Sequence, residues 1–511
     1  MADSPDNPPP LVDVCPYSIA TLRRILTDVA PVSLKTVCEK GHLGYFEEYF
    51  ATLQATTIVI ERSYTDRHWL EDYAAFYVRC LDGKYSSRCT RLHFFSAAFS
   101  RDDLLGCAVG SSTTVSEHEL RDTYLGYIVI KPLPETFIGR TCLRTYAQSL
   151  GHATRHYPVT RKYEAHLLGM TLEVESLAFQ EQDSVAAACA TSALWSALHG
   201  TGVLFHHPIL SPIEITRHAT ATHPSISRDV PNRGLSVLQM ADAVRRVGLS
   251  PEVVPANSAA GFRVMVRAYL SARIPIVLMG PLMDWSDPNR PRYYCDNPYS
   301  GHAITITGYR LEPSLNETLD VGGRQVGIVA LNMPKVYVHD DQVGPFARMQ
   351  FCRPPQHVIG AGGQPTVLPA EFVLQTMSQS PSHARGSIYF VPESVLLPLY
   401  HKIRLPLEEV QRLALTLAAT VERARASTPE LYNSRLVWDI RLSTVTDVLA
   451  QLRSDSCLLA SERIDLLQRE WPRFIWCVSA EHDGKKVLEC FLDATDIPGG
   501  AYVLLPRPRL F

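Results

Sequence analysis

The fold of this chain is decided by one stretch, Gln180-Glu-Gln-Asp-Ser-Val-Ala-Ala-Ala-Cys189-Ala-Thr-Ser-Ala-Leu-Trp-Ser-Ala-Leu-His-Gly200. Alanine and leucine dominate it, and because both are strong helix formers the sequence predicts one helix from Ser184 to Leu198. Asp183 or Ser184 is a suitable N-cap for this helix, and Gly200 is a suitable stop signal. We therefore expect a single helix with a cysteine near its start.

Cys189 lies in the early turns of this predicted helix. Unpaired amides and the helix dipole favour a negative charge at such a place, which suits a thiolate nucleophile. Gln182, seven residues upstream, has a side-chain amide that can donate to a negative oxygen forming beside the sulfur. A lone cysteine on a helix is more often a small buried residue. The prediction of a cysteine acyl-transfer site therefore depends on partners downstream.

The chain has 511 residues, of which 46% are hydrophobic and 20% are charged. This composition is typical of a globular protein. The formal net charge of -3 indicates neither a nucleic-acid partner nor an anionic membrane surface. No apolar run is long enough to cross a membrane, and the polar, proline-rich first residues do not resemble a signal peptide. The twelve cysteines include no CxxC pair, so we expect free thiols in a reducing cytoplasm.

Composition and hydrophobic periodicity divide the chain into four segments. We predict a disordered N-terminus at 1–12, a mixed α/β region at 13–160, a core that carries the cysteine helix at 161–355, and an α+β region that completes or covers this core at 356–511. Residues 210–233 are polar and lack a period, so we predict a loop over or beside the site. Asp483-Gly484 lies between two strand-like runs and is a strong hairpin signal.

A cluster of polar residues lies at the start of a predicted helix between Asp66 and Cys80. Its members are Asp66, Arg67, His68, Glu71 and Asp72. Such clusters are usually solvated, so we interpret this one as an exposed helix face with one buried salt bridge. We assign no chemistry to it.

Downstream of Cys189, a histidine and then an acid occur at the ends of predicted strands. His302 begins Gly301-His-Ala-Ile-Thr-Ile-Thr-Gly308, and Asp340 ends the strand that starts at Lys335. A histidine on a rigid strand can face the sulfur and act as base and then as acid. A carboxylate behind it fixes the imidazole tautomer. The order Cys, His, Asp favours a catalytic interpretation more than any one residue does.

Three further elements are predicted between Cys189 and Asp340. A helix capped by Ser236 ends at Gly248, a buried strand covers Ile274–Met279, and another strand covers Gly327–Asn332. The chain therefore alternates from the cysteine helix through further helices to a group of strands that carries the histidine and the acid.

Together these features resemble the papain-like cysteine peptidases, and within them the C39-like branch. The resemblance covers about residues 165–355, roughly two-fifths of the chain. The motifs that carry it are the Gln182…Cys189 helix, the Gly234-Leu-Ser…Gly248 helix, Ile274-Pro-Ile-Val, Gly301-His302-Ala…Gly308-Tyr309 and Tyr337-Val-His-Asp340. It implies an α+β fold in which the cysteine helix packs on an antiparallel sheet.

The resemblance also implies the role of each residue. Cys189 would be the nucleophile, His302 the base, Asp340 the group that orients the histidine, and Gln182 a donor in the oxyanion hole. The family usually has glycine beside its cysteine, whereas alanines flank Cys189, and the spacing from Gln182 is one residue longer than in the family. Gln180 therefore remains an alternative to Gln182, and Asp341 remains an alternative to Asp340.

The expected activity is hydrolysis of an amide bond in a protein or peptide substrate, with no metal and no cofactor. Papain-like folds also host deamidases and acyl transferases, so these activities remain alternatives. A catalytically inactive interaction protein with the same fold is a further alternative. The sequence does not determine the oligomeric state.

Overall fold

The computed structural model describes residues 10–80, 85–183, 188–222, 234–285, 292–293, 301–313, 317–320, 325–354, 370–376, 388–426, 436–482, 485–496 and 501–506. Within them the chain is α+β, with helices packed around mainly antiparallel sheets, and this confirms the predicted fold class at that level. Most buried apolar side chains form one continuous core that extends from Leu22 to Ala494. In this part of the chain, no helix has both the length and the apolar character needed to cross a membrane. Residues 1–9 of the predicted disordered segment lie outside the described residues.

The N-terminal part contains a five-stranded antiparallel sheet in the order β1-β2-β3-β4-β5 and a separate β8-β9 hairpin. Its elements are β1 (Val12–Pro16), α1 (Ile19–Val29), α2 (Leu34–Glu39), α3 (Gly41–Thr52), β2 (Thr57–Tyr64), α4 (Arg67–Ala75), a 3-10 turn (Tyr77–Arg79), β3 (Cys89–Phe95), α5 (Arg101–Ala108), α6 (Glu117–Thr123), β4 (Tyr124–Ile130), β5 (Ile138–Leu143), β6 (Ser149–Leu150), β7 (Ala153–His156), β8 (Arg161–Leu167) and β9 (Met170–Ser176).

The central part contributes four helices and most strands of the largest sheet. Its elements are α7 (Cys189–Phe205), α8 (Pro212–Thr220), α9 (Val237–Arg246), β10 (Ser250–Pro255), α10 (Ala259–Ser271), β11 (Ile276–Gly280), β12 (Leu282–Asp284), β13 (Arg292–Tyr293), β14 (His302–Leu311), β15 (Thr318–Asp320), β16 (Gln325–Ile328), a 3-10 turn (Val329–Asn332), β17 (Lys335–Asp340) and β18 (Gly344–Cys352).

The C-terminal part extends the central sheet and adds a six-stranded one in the order β15-β16-β22-β23-β24-β25. Its elements are β19 (Val373–Thr376), β20 (Ile388–Phe390), β21 (Ser394–Leu399), α11 (Leu407–Ala426), β22 (Val437–Thr444), α12 (Val445–Ser454), α13 (Ala460–Leu467), β23 (Phe474–His482), β24 (Lys485–Asp493) and β25 (Ala501–Pro506). The predicted hairpin is confirmed by the antiparallel pairing of β23 with β24. Its turn, Asp483-Gly484, lies outside the described residues.

The central sheet positions the candidate site, because helix α7 packs across its middle strands. These strands have the order β21-β11-β14-β17-β18 and are antiparallel to one another. Strand β7 pairs with the far end of β14. The hydroxyl of Thr305, which is fully buried on β14, donates a 2.7 Å hydrogen bond to the Ala193 carbonyl of α7. Helix and sheet are thereby held in a defined register.

The predicted bounds of the cysteine helix are wrong at both ends. Helix α7 begins at Cys189, and its N-cap is Ala188. Of the two predicted caps, Asp183 instead lies 3.8 Å from the Lys131 ammonium nitrogen, and Ser184 is among residues 184–187, which lie outside the described residues. The helix also continues past Gly200 to Phe205. A β-carbon at Gly200 would lie 3.3 Å from the Pro275 side chain, so this glycine permits close packing and does not end the helix.

Two predictions about polar segments are also wrong. Residues 210–233 are not simply a loop, because α8 occupies Pro212–Thr220 within them; residues 223–233 lie outside the described part. Ser211 and Glu214 form a capping box with Pro212 at the first helical position, a local signal that the polar composition concealed.

The polar cluster on α4 is largely buried, which contradicts its interpretation as a solvated face. Asp66, His68 and Asp72 are each at most 5% exposed. The predicted buried salt bridge is confirmed between Asp66 and Arg140. His68 accepts a 2.9 Å hydrogen bond from the indole of Trp195 on α7, so the face that was expected to meet solvent packs against the cysteine helix.

Other local predictions are confirmed in whole or in part. The side chain of Ser236 caps α9 by accepting from the Gln239 amide. The strand predicted over Gly327–Asn332 ends at Ile328, and the remaining residues form a 3-10 turn. The strands that begin at His302 and at Lys335 occur as predicted.

Gly280 provides a test of how tightly the sheet packs beside His302, its direct partner on β14. A β-carbon at Gly280 would lie 1.9 Å from the Val391 carbonyl oxygen. We therefore expect Gly280→Ala to lower the free energy of unfolding by about 3 kcal/mol, since that backbone must move. Chemical denaturation followed by circular dichroism measures the change.

Gly261→Ala is the matched control, because a β-carbon at this helical glycine would meet nothing closer than 3.6 Å. It should raise the free energy of unfolding by about 0.5 kcal/mol, since alanine favours a helix more than glycine does. Equal effects of the two substitutions would show that the Val391 backbone does not press on Gly280.

Candidate active site

Helix α7 presents Cys189 as its first helical residue. Ala188 precedes it in an extended conformation and forms no side-chain cap. The first amide groups of a helix have no intrahelical acceptor, so here they remain available beside the thiol. Cys189 is only half-buried, whereas most of the helix behind it is fully buried. The thiol therefore lies where a rigid, buried helix reaches the protein surface.

His302, the first residue of β14, faces this thiol. The Cys189 sulfur lies 3.9 Å from the carbonyl oxygen of Gly301, the residue that precedes the histidine. The His302 imidazole is 5% exposed. Burial opposes its charged form, but Asp340, the hydrogen bond with Cys189 and the charge of Asp341 together raise its pKa well above the usual value. These contacts favour the protonated, positively charged form of the His302 imidazole.

Asp340 holds the other side of the imidazole. Its Oδ1 accepts a 2.9 Å hydrogen bond from His302 Nε2 and a 3.0 Å bond from the Gln342 amide. Burial alone would raise the pKa of this carboxyl, yet the positive His302 and these hydrogen bonds lower it. Because Nε2 is bound to Asp340, Nδ1 is the ring nitrogen that remains to exchange a proton with Cys189.

Asp341 lies close to the same imidazole without a hydrogen bond to it. Its Oδ1 is 3.7 Å from His302 Nε2, and neither carboxylate oxygen has a hydrogen-bond partner among the described residues. Burial, together with the charge of Asp340, raises the pKa of Asp341 to about 7. Asp340 therefore has the geometry of the orienting acid, and Asp341 is a second carboxyl that favours its neutral form below about pH 7.

The two candidate glutamines lie upstream of α7, in a segment that is neither helix nor strand. Gln180 is buried and Gln182 is half-buried. Glu181, between them, pairs with Lys40 and accepts a 3.2 Å hydrogen bond from the Ile138 amide, which fixes this segment. In the described part of the chain, no hydrogen bond joins either glutamine to Cys189. The choice between the two as oxyanion donor thus stays open.

The acid side of the site also has the residue types of a metal site. His302, Asp340 and Asp341 each offer a ligand atom, and these atoms lie within 4.8 Å of one another. A nitrogen and two carboxylate oxygens suit a divalent cation. A cation at this position would replace the hydrogen bond between His302 and Asp340, which is short and buried. These are the residues that could hold a metal.

The N-terminal region supports the turn that carries the two aspartates. His42 on α3 is buried, which lowers its pKa, and its Nε2 donates a 2.8 Å hydrogen bond to the Asp341 carbonyl oxygen. Nearby, the Tyr45 hydroxyl donates to the Pro345 carbonyl. Gly344 has a φ of +151°, and a β-carbon there would lie 2.4 Å from the Tyr45 ring.

Sequence reasoning missed this support, because about 300 residues separate His42 from Asp341. No local motif marks His42 as part of the site. A histidine next to a glycine, as His42 is to Gly41, has no signature of a long-range contact. Only the packing of α3 on the β17-β18 hairpin brings it to the Asp341 backbone.

Asp341→Asn is expected to stabilise the protein at alkaline pH. A folded-state pKa of about 7, above the ordinary value of 3.8, means that the native state loses stability as pH rises between these values. Asparagine has no proton to lose, so the variant should exceed the wild type by roughly 2–4 kcal/mol at pH 8. The advantage should shrink at pH 5, as urea denaturation at both pH values will show. A constant difference at both values would contradict the proposed ionisation.

His42→Ala is expected to change the pH profile of Cys189, because the Asp341 carbonyl loses its donor and the adjacent Asp340 loses its fixed position. The alkylation rate of Cys189 at neutral pH should fall about fivefold, the equivalent of one hydrogen bond of about 1 kcal/mol. His42→Gln keeps a side-chain donor and should recover part of the rate. If His42→Ala lowers thermal stability but leaves the pH profile unchanged, the residue is structural only.

The sequence was also compared with known proteins. No model of a known protein family matches the chain, and no curated protein sequence is significantly similar to it. The function of this site is therefore inferred from its geometry and chemistry.

Proposed function

We propose that this protein is a cysteine-dependent amide hydrolase that acts on a protein or peptide substrate. One observation carries the proposal: the Cys189 sulfur, at the start of α7, lies 3.9 Å from the carbonyl oxygen of Gly301 and so beside His302, and His302 is hydrogen bonded to the buried Asp340. Nucleophile, base and orienting acid thus stand in series. This is the arrangement that acyl transfer through a thiol requires.

In the first half of the reaction, the proton of the Cys189 thiol passes to Nδ1 of His302 before the sulfur attacks, because Asp340 stabilises the positively charged imidazole. The sulfur attacks the carbonyl carbon of the substrate, and the carbonyl electrons move to the oxygen. When this intermediate collapses, the C–N bond breaks and His302 returns its proton to the leaving amine. The product of this half is a thioester between the acyl group and Cys189.

In the second half, a water molecule gives a proton to His302 while its oxygen attacks the thioester carbon. The C–S bond then breaks, the acid is released, and the sulfur recovers the proton from His302. Asp340 holds Nε2–H throughout, so that the imidazole keeps the same orientation in both halves.

The negative oxygen of each intermediate needs hydrogen-bond donors. The backbone amide of Cys189, at the helix start, is one donor in this proposal. The side-chain amide of Gln182 is the second, with Gln180 as the alternative from the same fixed segment. No metal ion and no cofactor takes part in these steps.

A papain-like core over residues 161–355 is part of the proposal. It is supported by the packing of α7 on an antiparallel group of strands that carries His302 and Asp340. Strands from both flanking regions join this sheet: β7 pairs with β14, and β21 pairs with β11. In this proposal the flanking regions complete the core. We also propose a cytoplasmic location, since sparse, unpatterned cysteines suit a reducing compartment.

Deamidase and acyl-transferase activity would use the same residues and differ only in the amine that leaves or the group that accepts the acyl chain. An inactive interaction protein would be expected to direct its sulfur into the core. The half-buried Cys189, in contact with Gly301 and His302, instead favours an enzyme.

Alkylation of the protein with iodoacetamide across a range of pH, read by mass spectrometry, tests the proposal. We expect Cys189 to react at least tenfold faster near neutral pH than the exposed Cys38 and Cys457, because the thiolate is the reactive form. His302→Ala should abolish this advantage, and Asp340→Asn should reduce it. A substrate screen on the wild type then follows.

The matched control is His118→Ala, which removes an exposed histidine that pairs with Asp122 on the surface. It should leave the rate at Cys189 unchanged. If Cys189 reacts no faster than Cys38 and Cys457 in the folded wild type, the protein is not a cysteine hydrolase, and its binding partners become the question.

A further inference from the structure

A row of basic side chains crosses four neighbouring strands of the central sheet. Arg155 on β7 is the direct partner of Arg310 on β14, and Arg310 is the direct partner of Lys335 on β17. Lys335 in turn pairs with Gln350 on β18, two residues from Arg348. Direct partners, and residues two apart on a strand, project from the same face of a sheet. The four cations therefore share one face, and we call them the basic row.

The basic row is only partly neutralised. Like charges placed directly opposite each other destabilise a sheet, and this row contains two such pairs in succession. The Arg310 Nη2 atom lies 2.6 Å from Oε1 of Glu312, and Arg348 forms an ion pair with Glu48. Among the described residues, no carboxylate forms an ion pair with Arg155 or Lys335. The row thus keeps an excess of positive charge that the fold itself does not balance.

The arginine side chains of the basic row are held in place, but some of their N–H groups have no hydrogen-bond acceptor among the described residues. The buried Nε atoms of Arg155, Arg310 and Arg348 have no hydrogen-bond partner in the described structure. The guanidinium groups of Arg155 and Arg348 lie 5.6 and 5.4 Å from the centre of the Tyr146 ring, so one aromatic ring positions both. The Nη1 atom of the Arg155 guanidinium donates a 3.0 Å hydrogen bond to the Ala147 carbonyl oxygen.

Burial and the positive charges around Lys335 lower the pKa of its ammonium group. Burial lowers its pKa, and the charges of Arg310, Arg348 and Arg155 lower it further, while Glu312 opposes them. A bound anion would relieve this repulsion, because it would contribute the negative charge that the row lacks.

We propose that the basic row is a binding site for the linked phosphate groups of a small polyanion. The planar guanidinium fork matches the oxygens of phosphate, and lysine adds a point charge. Neighbouring strands lie about 4.8 Å apart, so the row from β7 to β18 spans roughly 15 Å, which suits several linked phosphates better than one. The net charge of the whole chain, -3, disfavours a long polyanion such as a nucleic acid.

This site is separate from the candidate active site. His302 and Arg310 lie eight residues apart on β14, a separation of about 26 Å along the strand. Asp340 and Lys335 likewise occupy opposite ends of β17. Because the two sites are separate, this proposal does not rest on the activity proposed above. We therefore expect a Cys189→Ala variant to bind the polyanion as tightly as the wild type.

Isothermal titration calorimetry with sodium tripolyphosphate, at near-physiological ionic strength, tests the basic row. We expect one site per chain in the wild type and at least tenfold weaker binding in Arg155→Gln/Lys335→Gln, since charge-assisted hydrogen bonds are lost. The matched control, Lys35→Gln/Arg412→Gln, removes two exposed cations elsewhere and should bind within about twofold of the wild type. Equal weakening in both variants, or no binding by the wild type, would overturn the proposal.

Thermal unfolding without phosphate separates a ligand site from a structural role. Relief of repulsion should leave the Tm of Arg155→Gln/Lys335→Gln equal to or above that of the wild type, whereas cations that stabilise the fold would lower it when removed. Titration with ATP identifies the source of the phosphates. Binding of both ATP and tripolyphosphate supports recognition through the phosphate chain, and binding of ATP alone refutes it.

Discussion

The contact between helix α7 and strand β14 is the constraint on which the candidate site depends. The Thr305 hydroxyl, three residues into β14, donates to the Ala193 carbonyl, one turn into α7. Cys189 and His302 are the first residues of these two elements, so a bond between their interiors sets the distance between their starts. Alanine is frequent along α7, and its small side chain allows the backbone of a helix to approach a sheet closely. A change in this packing would move the nucleophile relative to its base.

The second constraint is electrostatic, because the site buries a histidine and two aspartates within a few ångströms of one another. Buried charges are tolerated only when they are paired and hydrogen bonded. Asp340 meets this condition through His302 and the Gln342 amide. The oxygens of Asp341 have no hydrogen-bond partner among the described residues, and this carboxyl avoids a buried charge by protonation below about pH 7. The N-terminal region takes part through His42, which holds the backbone between the strand and its turn. It is therefore integral to the site and not an appendage.

The two ends of the central sheet differ in whether their buried or partly buried charges are compensated. At one end, β14 and β17 carry a histidine and an acid whose opposite charges compensate each other. At the other end, the same strands carry Arg310 and Lys335 as direct partners of like sign. A compensated pair is stable as it stands, whereas an uncompensated row gains stability from a counter-ion. This difference is the physical basis for assigning chemistry to the first end and anion binding to the second.

Local sequence patterns determined much of the chain by themselves. The cap at Ser236 and the strands that begin at His302 and Lys335 follow from side-chain periodicity and capping chemistry, which act over a few residues. The start of α7 did not follow, because the alanine-rich run before Cys189 favours a helix and only tertiary packing places the boundary. The distinction between Asp340 and Asp341 likewise required the register of β17, since adjacent residues differ in direction and not in chemistry. The contact of His42 with the acid turn and the basic row depend on residues far apart in sequence, and only the folded chain brings such residues together.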